Sequence, residues 1–295
     1  MVREEGVFLT RRNFLRGAAY GTLGLALGGP LLEGAWGQAP PGPKARVVVV
    51  RHGHALTADF RADATAVARM LDAALLGLSG EENIEAAWRK YISPEDIVGI
   101  KTSVMMTPTH PEVVNAIVVR LRQIGVPEGN IFIGDRAQTP GPQCTALLNV
   151  PGLKAHALSG IAAAIKNYIT YATNLPSFHA NDCAALGSVW HLPAVKGKTR
   201  LCIIDALRPL FQGPQVDPKY LWPYQGIIMG TDPVAVDTVC AQIIQAKRDA
   251  YRGEPWPIQP PLKHIVEADR KYHLGTCDPR RIEVVKIGWR KDFLI

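Results

Sequence analysis

The sequence predicts an α/β protein: a single domain built on one mostly parallel, open sheet with helices on both faces. Three observations predict it. Strand-like and helix-like segments alternate along the chain, the order that places parallel strands side by side through helical crossovers. Arg46-Val-Val-Val-Val50 is a continuous β-branched run, which a strand buried on both faces requires. No internal repeat or low-complexity segment appears past Pro43, and residues 38–295 are of a size that one core can organise.

The chain opens on Thr10-Arg-Arg-Asn-Phe-Leu-Arg16, followed by the uncharged segment Gly17–Leu32, rich in Ala, Gly and Leu. This is the order of a twin-arginine (Tat) export signal, with cleavage expected near Gly37. A spanning helix needs about 20 strongly apolar residues, whereas this segment is shorter and holds five Gly and a Pro. Residues 1–37 are therefore expected to be a removable leader, 38–44 a Pro/Gly-rich linker, and 45–295 the α/β domain. The leader implies the Tat machinery as a partner, export in the folded state, a periplasmic or extracytoplasmic location, and no permanent membrane span after cleavage.

The leader contains four Arg and three acidic residues, which leaves 29 basic and 23 acidic side chains of the chain's 33 and 26. That mild excess lacks any Lys/Arg block with interleaved aromatics, so nucleic acid is not expected as a partner. A small anionic ligand suits it better. Cys144, Cys183, Cys202, Cys240 and Cys277 are widely spaced with no C-x-x-C pair. An intrinsic iron–sulfur cluster or common structural zinc site needs such close pairs and is disfavoured. In an oxidising compartment a disulfide is an open alternative to small core residues, the reading favoured for Cys202 and Cys240.

After the first strand, residues 63–78 and 83–91 carry helical patterns, and Ile97-Val-Gly-Ile100 is a strand ending in Lys101. Thr109 with Glu112 reads as a capping box opening a helix whose apolar stripe is Val113, Val114, Ile117, Val118, Leu121 and Ile124, closed by Gly125. The strand Asn130–Gly134 ends in Asp135, and Thr199–Ile204 ends in Asp205. Gly226–Gly230 precedes Asp232-Pro233, an N-cap and first-turn proline for a helix over 232–246. A helix near 262–272 and a strand Ile282–Ile287 finish the chain.

Ligands of open parallel sheets bind outside the carboxyl ends of the strands, so Lys101, Asp135 and Asp205 are expected to converge there. Lys166, Asn167 and His179 follow in polar surroundings, and Asp237 falls at the edge of its helix's apolar face, where a carboxylate needs a partner. A salt bridge to Lys166 or Arg208 and a ligand or metal role are the two alternatives for Asp237. Two chemistries fit the set. Lys101, Lys166, Asn167 and His179 could bind an anionic substrate, with His179 as general acid or base. Asp135, Asp205 and Asp237 could instead hold a divalent metal with His179, although no metal-ligand spacing singles them out; the cofactor is otherwise unknown. His52 and His54, after the first strand, are as well explained by a solvated strand end.

Ile97-Val-Gly-Ile-Lys101, Thr109–Val114, Ile131-Phe-Ile-Gly-Asp-Arg136, Ile165-Lys-Asn167 with His179 downstream, Ile203-Ile-Asp-Ala206 with Gly213-Pro214, and Gly230-Thr-Asp-Pro-Val-Ala-Val-Asp237 resemble, in order and spacing, the DUF362 family. The resemblance spans roughly residues 45–250. It implies an α/β domain without a generally established activity and marks the same positions, Asp232 included. Some members of that family carry a ferredoxin-like module with clustered cysteines; this chain lacks it and resembles the exported single-domain members. Two functions follow as expectations: an exported metal- or cofactor-dependent enzyme, redox or hydrolytic, acting on a small anionic substrate, or a non-catalytic periplasmic binding or accessory protein serving a redox partner.

Overall fold

The computed structural model describes residues 43–295; the expected leader, its cleavage point and most of the linker lie outside the described residues. Nine strands form one sheet: β1 Ala45–Arg51, β2 Val98–Lys101, β3 Ile131–Gly134, β4 Ala146–Asn149, β5 Gly152–His156, β6 Gly160–Ala162, β7 Thr199–Leu210, β8 Gly226–Gly230 and β9 Ile282–Gly288. The order is β3-β2-β4-β7-β8-β1-β9, with β5 beside β7 and β6 beside β5. β3, β2, β4 and β7 run parallel, as do β5 with β7 and β1 with β9. β8 is antiparallel to both neighbours, and β6 to β5. The sheet is thus open, mixed and mostly parallel, as the alternation of segments predicts.

The helices are α1 Ala64–Ser79, α2 Ile84–Arg89, α3 Pro111–Gln123, α4 Ala164–Asn167, α5 Pro233–Arg252 and α6 Lys263–Arg270. The valine run of β1 shows why they flank both faces. Successive strand side chains point to opposite faces; Val47 and Val49 join one core with Val236, Val239 and Ile243 of α5 and Ile265 of α6, while Val48 and Val50 join another with Val67 and Leu71 of α1 and Ile117 of α3. All four valines are at most 3 % exposed, each contributing about 1.5–3 kcal/mol of burial. Among the described residues no helix is long and apolar enough to cross a membrane.

Three sequence expectations change. β4, β5 and β6 are absent from the sequence reading because runs of three to five residues beside Pro151 leave no measurable periodicity. β7 does not end at Asp205 but continues to Leu210, because the carboxylate finds hydrogen-bond donors inside the fold. The Thr109 capping box does not form: the N-cap of α3 is His110 without a side-chain bond, and Thr109 Oγ instead donates to the Val150 carbonyl at 2.6 Å. That bond ties segment 102–109 to the sheet. Gly152 supports the same docking: a Cβ there would stand 2.1 Å from the Thr107 carbonyl oxygen, so only glycine lets the segment lie against β5.

Candidate functional site

β2 and β3 are parallel neighbours, so Lys101 and Asp135 emerge side by side at their carboxyl ends. Lys101 Nζ lies 2.5 Å from Asp135 Oδ1 and also donates to the Thr102 carbonyl at 2.9 Å and to Asn167 Oδ1 at 3.4 Å. Burial alone would raise the Asp135 pKa. The Lys101 charge, with amide donors from Val104 and Arg136, outweighs it and holds the carboxyl below its ordinary range. Asn167 Nδ2 donates to the Lys101 carbonyl and to Asn149 Oδ1, and Asn149 in turn donates to the Ala164 carbonyl. Lys101, Asp135, Asn149 and Asn167 therefore form one mutually satisfied network, buried at Lys101 and Asn149 and reaching the surface at Asp135 and Asn167.

Above that network opens a cleft of about 210 Å³. Lys154 and His156 reach it from β5, spaced two apart and so on one face of the strand; Lys166 and Asn167 come from α4; His179 closes a short 3₁₀ turn, 175–179; Asp135 and Arg136 stand at the end of β3; Ser103, Met105 and Met106 complete the rim. Lys154 Nζ donates to Ser103 Oγ at 2.7 Å and to the Gly152 carbonyl at 3.2 Å. Burial pushes its pKa down to about 8. Lys166 Nζ lies 3.0 Å from His179 Nε2 and 4.0 Å from Cys183 Sγ, and burial pushes its pKa down as well. Burial, followed by the Lys166 charge, lowers both histidines, His156 to about 3, so both are neutral at pH 7.

The structure thus brings Lys101, Asp135, Lys166, Asn167 and His179 together. It places Asp205 and Asp237 elsewhere. Asp237, fully buried on α5, accepts from the Ala164 and Ile165 amides at 2.6 and 3.0 Å. Ala163, the N-cap of α4, has no side chain to do this, so Asp237 caps the helix that carries Lys166 from another element. The first alternative offered by the sequence, a salt bridge to Lys166 or Arg208, does not form: Lys166 faces His179, and the Arg208 guanidinium lies over the Phe60 ring.

Asp205 plays the same part for α3, accepting from the His110 amide and from His110 Nδ1, both at 2.7 Å, and from the Leu207 amide. Burial alone would lower the His110 pKa, but the hydrogen bond and charge of Asp205 outweigh it and raise the value above the ordinary one. The pair's contribution is then fully present below the unfolded-state pKa of about 6.5 and is lost as pH rises through the higher folded-state value. Asp205→Asn should cost about 1–3 kcal/mol, since one acceptor becomes a donor facing the His110 amide. It should also remove that pH dependence in urea titrations at pH 6 and pH 8. An unchanged midpoint would show that Asp205 does not hold α3.

Asp232 caps α5 through the Val234 and Ala235 amides, the role its sequence context favours, and accepts from Thr276 N as well. Because β8 runs against β7, Asp232 lies off the opposite strand ends from Lys101, in a shallow depression of about 470 Å³ with Asp269, His273 and Arg281. The wider opening is therefore not where the expected residues converge. Among the described residues no group of three or more His, Cys, Asp or Glu side chains is placed to hold a metal ion, and each of the three expected carboxylates is already taken up by amides, His110 or Lys101. All five cysteines are free and buried.

Sequence reasoning missed Lys154, His156, Arg136 and Asn149. In Gly152-Leu-Lys-Ala-His156 the polar pair alternates with apolar residues, which puts Lys154 and His156 on one strand face, but five residues are too few for that alternation to stand out.

A model of the DUF362 family, a domain of unknown function, matches residues 139–242. The matched segment runs from just before β4 into α5 and holds Lys154, Lys166, Asn167, His179, Asp205 and Asp237; Lys101 and Asp135 precede it. The match supports the resemblance over that part of the chain. Comparison with curated proteins and with solved structures gives no match.

Proposed function

We propose that this chain, with its DUF362-like segment at the centre of the cleft, is an exported protein that binds a small anionic molecule between Lys154 and Lys166 and acts on it as an enzyme, His179 moving the proton. One observation carries the reading. Lys154 and Lys166 are 7 % and 6 % exposed, both line the cleft, and among the described residues neither has a carboxylate within ion-pair distance: their partners are Ser103 and Gly152 on one side, His179 and Cys183 on the other. Buried ammonium groups need a counter-charge. The nearest carboxylate on the rim, Asp135, is held by Lys101. Asp135 and Asp205 act on Lys154 only from beyond ion-pair distance, so a ligand anion supplies the close counter-charge that the fold does not, and Arg136 at the rim adds to the attraction.

Size narrows the class. The cleft is below the roughly 300–1,000 Å³ of pockets that enclose drug-sized ligands, which favours a small organic acid or a phosphate-sized group over a nucleotide. No role in the reaction is assigned to a divalent metal, because Asp135, Asp205 and Asp237 serve as acceptors for the fold's own donors. The export route and periplasmic location rest on the twin-arginine leader.

The anion reading is tested by thermal shift of the purified protein with phosphate, malonate and neutral glycerol. Both anions should raise the melting temperature, glycerol at the same concentration should not, and Lys154→Met should lose the anion response. An anion response that survives in Lys154→Met, or none in the native protein, rejects the reading. The alternative of a non-catalytic binding or accessory protein for a redox system is favoured by the inert character of the Lys101–Asp135–Asn167 network. It predicts stabilisation by the anion with no product formed.

A further inference from the structure

The two unpaired lysines are not equivalent. Lys154 is fixed by Ser103 and the Gly152 carbonyl and is suited to holding a charge. Lys166 instead faces a base: its Nζ is 3.0 Å from His179 Nε2, within the 2.6–3.2 Å reach that marks a nucleophile paired with its activator. A backbone hydrogen bond at Leu175 engages His179 from its own turn, and such a bond on one ring nitrogen sets which role the other plays. Lys166 is itself fixed from behind, because Asp237 pins the first turn of α4 through two amides. The cleft therefore offers a positioned amine, a base beside it and a second cation for an anionic group.

We propose that Lys166 is the nucleophile of an imine-forming site whose substrate is a small molecule carrying both a carbonyl and an anionic group, such as a 2-oxo acid or an aldehyde acid. The proposal rests on the anion-binding reading above and names the substrate class for it. His179 Nε2 takes a proton from the Lys166 ammonium, and the freed nitrogen lone pair attacks the carbonyl carbon. The carbonyl π pair moves to oxygen, which takes that proton from His179; the nitrogen then gives a second proton to His179, leaving a neutral carbinolamine. His179 returns this proton to the hydroxyl, which leaves as water while the nitrogen lone pair forms C=N, a protonated imine on Lys166. One water leaves and no electrons are transferred, so no oxidant or reductant is required. Lys154 holds the substrate's anionic group throughout. Burial, which lowers the Lys166 pKa, favours the free amine the step needs. His156, its ring stacked on His179 at 6.1 Å, is kept neutral by burial and by the Lys166 charge and adds no competing proton at pH 7.

The experiment is reductive trapping. The native protein is incubated with glyoxylate and sodium cyanoborohydride, and the carboxymethyl adduct is located by peptide mapping. The expected result is a dominant adduct on Lys166, slower to form in His179→Ala, weaker with acetaldehyde, which lacks the anion, and lost from the map in Lys166→Met. Because the native map needs no variant, a misfolded Lys166→Met leaves the test intact. An adduct confined to Lys154 or to surface lysines, or no adduct, overturns the proposal. If phosphate still stabilises the protein while glyoxylate fails to trap on Lys166, the imine chemistry falls and the anion cleft stands. Trapping of acetaldehyde on Lys166 as readily as glyoxylate overturns the anionic half of the substrate class.

Discussion

Asp237→Ala should lower the stability of the fold by about 3–5 kcal/mol and abolish anion binding in the cleft. Two buried amides, those of Ala164 and Ile165, lose the Asp237 acceptor, at about 1–3 kcal/mol each, and the missing carboxylate leaves a void. Asp237→Asn should cost about 2 kcal/mol, since the amide side chain accepts from one donor and turns its own N–H groups toward the other. Burial pushes the Asp237 pKa up to about 7, against the opposing pull of the two amides. The folded state then binds a proton that the unfolded state, near 3.9, has released. Stability from this group is fully present below about pH 4 and is lost as pH rises through about 7, with a slope of up to about 1.4 kcal/mol per pH unit. Urea titrations from pH 5 to pH 8 should show that fall in the native protein and a flatter profile in Asp237→Asn. An Asp237→Ala protein within about 1 kcal/mol of native, or an equally steep Asn variant, contradicts the capping role.

Lys101→Ala should be comparably severe, at about 3–5 kcal/mol, because it removes the hydrogen-bonded counter-ion of Asp135 at a site where its side chain is only 7 % exposed. Asn167 and the Thr102 carbonyl lose a donor at the same time. The comparison that isolates the ion pair is Lys101→Met with Asp135→Asn. Each single variant should be strongly destabilised and the double variant substantially recovered, since the uncompensated charge is then gone. The single Lys101→Met protein should also bind phosphate more weakly, the Asp135 carboxylate now facing the cleft unneutralised. Additive losses in the double variant would show that the two charges act independently.

Much of this fold was readable from local signals. The valine run of β1, the apolar stripe of α3, the Asp232-Pro233 start of α5 and the charged residues at the ends of β2 and β3 each depend on neighbours within a few positions, and each is found in place. Lys101 beside Asp135, and Lys166 beside His179, follow from placing those ends and turns around one sheet. What escaped depended on distance along the chain. The amides capped by Asp237 lie 72 and 73 residues away, and His110 lies 95 residues from Asp205. A carboxylate serving such a partner looks, in sequence, the same as a metal ligand. Lys154 and His156 were hidden for the opposite reason: their strand is too short for a periodicity to stand out from chance.

The five free thiols give the molecule an asymmetric relation to its surroundings. Folded, Cys144, Cys183, Cys202, Cys240 and Cys277 are all shielded from solvent, and burial raises the pKa of each, so little reactive thiolate is offered to an oxidant. Unfolded, the same chain presents five sulfurs with no native pairing to guide them. An oxidant thus meets little thiolate on the finished protein and five accessible thiols on the nascent one. For the exported protein proposed above, that favours completing the fold under reducing conditions before it meets an oxidising compartment.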